Sequence, residues 1–155
     1  MEPANLYAPW RMDYIRSLDK GGPACFLCDA AAADDDAQRR ERLVLWSTPH
    51  SVVVINRYPY TNGHLLIAPR AHKADLEELT PDEHLDLQVQ TTAGVRLLKR
   101  SCGAQGFNIG INLGRCAGAG VPGHLHQHVV PQAMSQLYEE LSRLYAAGGR
   151  MEDGE

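Results

Sequence analysis

The stretch GHLHQHVVPQ, Gly123 to Gln132, places imidazoles at His124, His126 and His128 in otherwise apolar surroundings. Residues two apart on an extended chain share a face, so the three rings project to one side, and Leu125, Gln127 and Val129 to the other. A single histidine in an apolar strand is ordinarily a hydrogen-bonded core residue. Three in register each need a buried partner, and grouping titratable rings costs stability unless something charged or metallic is bound there. Two chemistries use such a row. Neutral imidazole is the commonest metal ligand. Alternatively, one ring nitrogen attacks phosphorus while neighbouring donors hold the oxygens and protonate the leaving group. The preceding segment, GRCAGAGVPGH, carries Gly114, Gly118, Gly120 and Gly123. Small residues let backbone amides approach a phosphate, which favours the second chemistry. A turn joining two strands has the same composition, and only the position beside the histidines distinguishes this one.

The second chemical feature is CFLC, with Cys25 and Cys28 three positions apart. Two such thiolates chelate zinc well, but a structural site needs two more ligands and no second CxxC follows. A redox pair and two plain reduced thiols are the competing readings; no strand pattern precedes the motif and no clear helix pattern follows it, which disfavours the redox pair.

These groups need elements to position them. Asp29 to Arg42, DAAAADDDAQRRER, lacks apolar periodicity and reads as a surface connection, with a short frayed helix as the alternative. RLVLWS, SVVVINR and HLLIAP are β-rich runs separated by TPH and YPYTNG, a pattern that predicts an antiparallel meander. TPDE then signals a helix start: Thr80 as N-cap, Pro81 in the first turn, and Glu83 completing a capping box. Leu85, Val89, Thr92, Val95 and Leu98 recur at helical spacing, and Gly103 is placed to end the helix. GFNIGINLG and HLHQHVV alternate as strands do, and AMSQLYEELSRLYAA reads as a final helix before the polar tail 148–155. The expected class is α+β, an antiparallel sheet of about five strands with one central amphipathic helix and a C-terminal helix.

Composition bounds the rest. The 155 residues suit one domain, read as 1–155, and are too few for two of ordinary size. A formal net charge of -4 with scattered Lys and Arg gives no basic stripe for a nucleic-acid polymer. No apolar run approaches the roughly 20 residues that cross a bilayer. The opening MEPANLYAPWRMDYIRSLDK has no continuous apolar core of a signal peptide, so a cytoplasmic protein with reduced thiols is expected.

HLHQHVV resembles the His-x-His-x-His-x-x signature of the histidine triad (HIT) superfamily. INRYPYTNGHLLIAPRAH, GFNIGINLGRCAGAGVPGH and LYAPWRMDYI are similar to motifs of its bacterial dinucleoside polyphosphate hydrolase and phosphorylase branch, so the likeness runs from about Leu6 to Pro131. Gln127 departs from the pattern, which has an apolar residue there. So does the direct passage from VVPQ into AMSQLYEELSRLY, where the branch carries a Trp-containing and Asn-Phe-containing loop.

The resemblance implies a HIT-like fold and a covalent mechanism. His126 would be the nucleophile toward the α-phosphorus of a nucleotide, with water or phosphate releasing it. His128 would line the phosphate site and His64 would sit beside the leaving group. Asn56 would bind ribose hydroxyls, Asn112 the phosphate or leaving-group region, and Gly118, Gly120 and Gly123 the phosphates. It also implies His72 and His124 as partners of Cys25 and Cys28 in a structural zinc site, stapling the N-terminal segment 1–30 to the histidine strand. The expected substrate is a dinucleoside polyphosphate such as diadenosine tetraphosphate; a phosphoramidate hydrolase and a non-catalytic nucleotide-binding module are the alternatives. A homodimer is expected.

Overall fold

The computed structural model describes residues 25–59 and 61–133. The expected C-terminal helix, the tail 148–155 and most of the segment 1–30 lie outside them. Within them run helix α1 (Phe26–Ala31), helix α2 (Asp36–Glu41), strands β1 (Val44–Ser47), β2 (Ser51–Ile55) and β3 (Leu65–Pro69), helix α3 (Pro81–Cys102), and strands β4 (Gly106–Ile111) and β5 (Gln127–Gln132). Single 3-10 turns at Leu76–Glu78 and Arg115–Ala117 punctuate the connections. Every strand pairs antiparallel with its neighbours in the order β1-β2-β3-β5-β4.

The sheet is covered on both faces, which explains why SVVVI and LLIAP are nearly continuous apolar runs. Val52, Val54, Leu66 and Ala68 pack with Leu27, Ala30 and Ala31 of α1. Val53, Leu65 and Ile67, one position out of phase, pack with Leu87 and Leu98 of α3 and with Leu125 and Val129. One-residue phase in a strand thus assigns each side chain to one of two cores.

α3 begins and ends where the sequence signals. The Thr80 hydroxyl accepts from the Glu83 amide at 3.2 Å, the Glu83 carboxylate accepts from the Thr80 amide at 2.7 Å, and Gly103 closes the helix at φ 62°. Its buried face is not the expected one. Leu85 is 66% exposed and Val89 52%, Thr92 is exposed too, and of the five expected residues only Leu98 is buried. The buried face carries Leu98 together with Glu83, Leu87, Gln90, Thr91 and Gly94. Two things select that face. At Gly94 a Cβ would stand 3.2 Å from Leu65 Cδ1, so a missing side chain lets helix and sheet approach. Its polar members are hydrogen-bonded: Gln90 accepts from the Trp46 indole at 2.9 Å and Thr91 from the Gln127 amide at 3.0 Å.

Two further expectations are corrected. Residues 29–42 are largely helical, because α1 docks Leu27, Ala30 and Ala31 and because Asp35 caps α2 by accepting from the Gln38 amide at 2.8 Å. Each helix spans 6 residues, too short for periodicity to register. β5 begins at Gln127 rather than His124, because the Leu125 amide leaves the ladder and donates to the Lys73 carbonyl at 2.7 Å. The alternation of sides nonetheless extends back through Leu125. No helix among the described residues is long and apolar enough to cross a membrane.

Candidate active site and metal centre

The three histidines divide between two centres. His124 Nδ1 lies 3.2 Å from Cys25 Sγ and 3.4 Å from Cys28 Sγ, and His72 Nδ1 lies 3.1 Å from Cys28 Sγ. All four ligand atoms fall within 4.8 Å of one another. Tetrahedral zinc with bonds of 2.0–2.3 Å needs ligand separations of about 3.5 Å, so the cluster is compact enough to hold a metal ion. The His124 ring is already oriented for it. Its Nε2–H donates to the Pro69 carbonyl at 2.8 Å, which leaves the Nδ1 lone pair toward the sulfurs, the outer-sphere arrangement that metal-bound histidines use. Burial, opposed by the Pro69 hydrogen bond, holds the His124 pKa below its ordinary value and so favours the neutral ring that a metal requires. Burial and the neighbouring Cys25 push the Cys28 thiol up to about 11 without metal. A cation would reverse that by stabilising the thiolate. The loop carrying His72 is pinned by Lys73, whose ammonium meets Glu83 at 2.6 Å.

His126 and His128 line a pocket of about 370 Å³ on the α1 side of the sheet. His126 Nδ1 is 2.8 Å from the His124 carbonyl oxygen. A carbonyl only accepts, so Nδ1 carries the proton and the neutral ring keeps its lone pair on Nε2. The ring centroids of His126 and His128 are 5.0 Å apart. Behind them His64, fully buried, lies with Nε2 2.9 Å from His128 Nδ1. It is placed to act through His128 rather than on a ligand directly.

Other residues divide between pocket and periphery. Asn56 and Gly120 line the pocket. Asn112 lines a shallower hollow on the other side of His128, with Asn108 and Ile109. Gly118 and Gly123 are not among the lining residues. Gly118 adopts φ 80° at the end of a 3-10 turn, and Gly123 lies against the His72 ring, where a Cβ would be 3.5 Å from Nε2. The apolar walls, Phe26, Leu43, Val54, Ile55, Leu66 and Val121, were not singled out from the sequence. Phe26 was available there, since it sits inside CFLC, whose cysteines face His72 and His124 while Phe26 itself lines the pocket. Gln127 also has a physical account. It is buried beneath the histidines, donating to Thr91 at 3.0 Å and accepting from Gln88 at 3.2 Å, so a polar residue fits where the pattern expects an apolar one.

Known proteins share the sequence pattern and the fold. The HIT domain model matches residues 38–134. An AP-4-A phosphorylase of Mycobacterium tuberculosis is 34% identical over 134 residues, covering 82% of this chain and 67% of that protein. An asymmetrical bis(5'-nucleosyl)-tetraphosphatase of Schizosaccharomyces pombe is 32% identical over 96 residues, covering 62% of this chain and 52% of that one. Among solved structures, a Zn-bound histidine triad family protein from Mycobacterium smegmatis superposes with a TM-score of 0.61 at 26% identity, over 72% of this chain and 76% of that chain. A HIT family protein from Bacillus subtilis shares the fold, with a TM-score of 0.60 at 19% identity over 86% of this chain and all of that one. With the family model spanning most of the chain and the histidine pocket arranged as described, this protein belongs to the HIT domain family.

Proposed function

We propose that the protein is a nucleotidyl hydrolase or phosphorylase that cleaves a dinucleoside polyphosphate through a nucleotidyl-histidine intermediate. The observation that carries this reading is the hydrogen bond from His126 Nδ1 to the His124 carbonyl, which leaves the nucleophilic lone pair on Nε2 of a pocket-lining ring. His126 Nε2 forms a bond to the α-phosphorus while the bond from phosphorus to the bridging oxygen breaks, the electron pair departing on that oxygen, which His128 stabilises by a hydrogen bond. Water or phosphate then attacks the same phosphorus, the N–P bond breaks with its electron pair returning to His126 Nε2, and the acceptor's proton passes to solvent. The apolar walls accept a base, and the relatives named for AP-4-A and bis(5'-nucleosyl) tetraphosphate chemistry support the substrate class.

Cys25, Cys28, His72 and His124 would hold zinc in a closed structural site, the reading supported by the compact ligand set and by the Zn-bound relative. Zinc there contributes charge to keep both thiols deprotonated and ties α1 to the start of β5. A homodimer would cover the edge strand β4, where Ile109 is 47% exposed.

The test is product analysis after incubation with diadenosine tetraphosphate, with and without phosphate, using wild type and His126→Ala. ADP plus ATP only with phosphate identifies a phosphorylase; AMP plus ATP without it identifies a hydrolase. Turnover that survives His126→Ala would refute the nucleophile. No turnover with AMP still binding would refute the substrate and favour a phosphoramidate or a binding module.

A further inference from the structure

The resemblance gives Asn56 to the ribose, but its side chain is hydrogen-bonded to His64. Asn56 follows β2, and its amide N–H donates to the His64 carbonyl at 2.9 Å across the hairpin. Its Oδ1 accepts from the Tyr58 backbone amide at 3.0 Å. A backbone N–H can only donate, so that contact fixes which way the Asn56 amide is turned and puts Nδ2 toward His64 Nδ1, 3.2 Å away. An amide nitrogen also only donates. His64 Nδ1 must therefore accept, and the neutral ring carries its proton on Nε2. That proton points at His128 Nδ1, 2.9 Å distant, so His128 Nδ1 accepts in turn and the neutral His128 ring carries its proton on Nε2.

We propose that Asn56 is a positioning residue that fixes the tautomers of His64 and His128, so that His128 presents an Nε2–H hydrogen-bond donor beside the nucleophile His126. The direction of the relay originates in one backbone N–H, that of Tyr58. Its consequence is that two rings 5.0 Å apart have opposite character: His126 keeps a lone pair on Nε2 because Nδ1 is held by a carbonyl, and His128 keeps a proton there because Nδ1 accepts from His64. A nucleophile and a donor for the leaving oxygen thus come from the same residue type on the same strand face, distinguished only by what each Nδ1 meets. This deepens the nucleotidyl-transfer reading and rests on it for the catalytic consequence, while the tautomers themselves are independent of any activity.

The discriminating variant is Asn56→Asp. A carboxylate keeps the acceptor for the Tyr58 amide and can still accept from ribose hydroxyls, but it cannot donate to His64 Nδ1. Long-range proton–nitrogen spectra of full-length protein labelled at histidine nitrogen, recorded above the imidazole titration range, read each ring directly. Expected in wild type are Nε2–H for His64 and His128 and Nδ1–H for His126. In Asn56→Asp a proton moves onto Nδ1 of both His64 and His128, while the His126 signal stays and reports an intact site. With diadenosine tetraphosphate, kcat falls about 10²-fold, the scale of a lost hydrogen-bond donor to developing charge, while AMP affinity stays within about threefold. A proton on His64 Nδ1 in wild type, or unchanged His64 and His128 signals in the variant, overturns the relay, and wild-type spectra alone decide it should the variant not fold. A variant with normal kcat and altered AMP affinity would return Asn56 to the ribose. Absence of turnover in wild type counts against the nucleotidyl-transfer reading and leaves the spectra to decide the relay.

Discussion

Replacing Thr91 by Val should destabilise the protein more than replacing both Thr91 and its partner Gln127 by apolar residues. The two meet between α3 and the sheet, 5% and 4% exposed, with Gln127 Nε2 donating to Thr91 Oγ1 at 3.0 Å. Thr91→Val is nearly isosteric but leaves that amide donor buried without its acceptor, a loss of about 1–3 kcal/mol. Gln127→Leu strands less. The Thr91 hydroxyl keeps its hydrogen bond to the Leu87 carbonyl at 2.7 Å, and Gln88, the other partner of Gln127, is exposed and can turn to water. That variant should cost within about 1 kcal/mol. The double variant removes donor and acceptor together, so the cycle should give a coupling energy of about 1–2 kcal/mol, with the double variant more stable than Thr91→Val alone. Urea unfolding of the four proteins, each with zinc present and with m values compared, measures this. Additive effects, or a Thr91→Val cost below about 0.5 kcal/mol, would refute the claim that Gln127 is polar because α3 presents it with a polar face.

Other consequences follow from the same structure. Gly63 adopts φ 85° immediately before His64, and a Cβ there would stand 3.0 Å from Leu98 Cδ2 and 3.3 Å from Pro131 Cγ. Gly63→Ala should therefore cost about 2–4 kcal/mol by left-handed strain plus crowding, and a urea midpoint close to that of wild type would contradict it. Burial alone would raise the Asp86 pKa, but hydrogen bonds from Thr48 and Gln90 outweigh it and hold the carboxyl below its ordinary value. Because the folded-state pKa is the lower one, this stabilisation is full above the unfolded value of about 3.9 and is lost as pH falls through the folded value. The stability gap between wild type and Asp86→Asn should thus shrink on acidification toward pH 3, and a gap independent of pH would exclude the carboxylate as its source. Cys28→Ser should abolish stoichiometric zinc by elemental analysis and lower the thermal midpoint of the purified protein; an unchanged metal content would remove Cys28 from the site.

The sequence by itself determined whatever is encoded locally. The capping box at Thr80 and Glu83 and the left-handed Gly103 fix the ends of α3, because each signal lies within a few residues of the groups it satisfies. The apolar runs of β2 and β3 and the alternation around Leu125, Gln127 and Val129 gave the sheet, since strand phase alone assigns a side chain to a face. The candidate site was legible in the same way, from His124, His126 and His128 at alternate positions and from Cys25 and Cys28 three apart.

What tertiary structure decided was which surfaces and atoms meet. α3 offers two faces of helical spacing, and the one carrying Leu85 and Val89 is the more apolar; close approach at Gly94 and hydrogen bonds to Gln90 and Thr91 turned the other inward. α1 exists because Leu27 and two alanines dock on the sheet, a gain invisible in so short a segment. The division of three like histidines into a ring facing two cysteines, a ring with its lone pair on Nε2 and a ring with its proton there came from partners far away in sequence or from the backbone: Cys25 and Cys28 for His124, the His124 carbonyl for His126, and His64 for His128. Identical side chains acquire different chemistry only when the fold supplies different hydrogen-bond partners, and spacing along the chain carries no record of those.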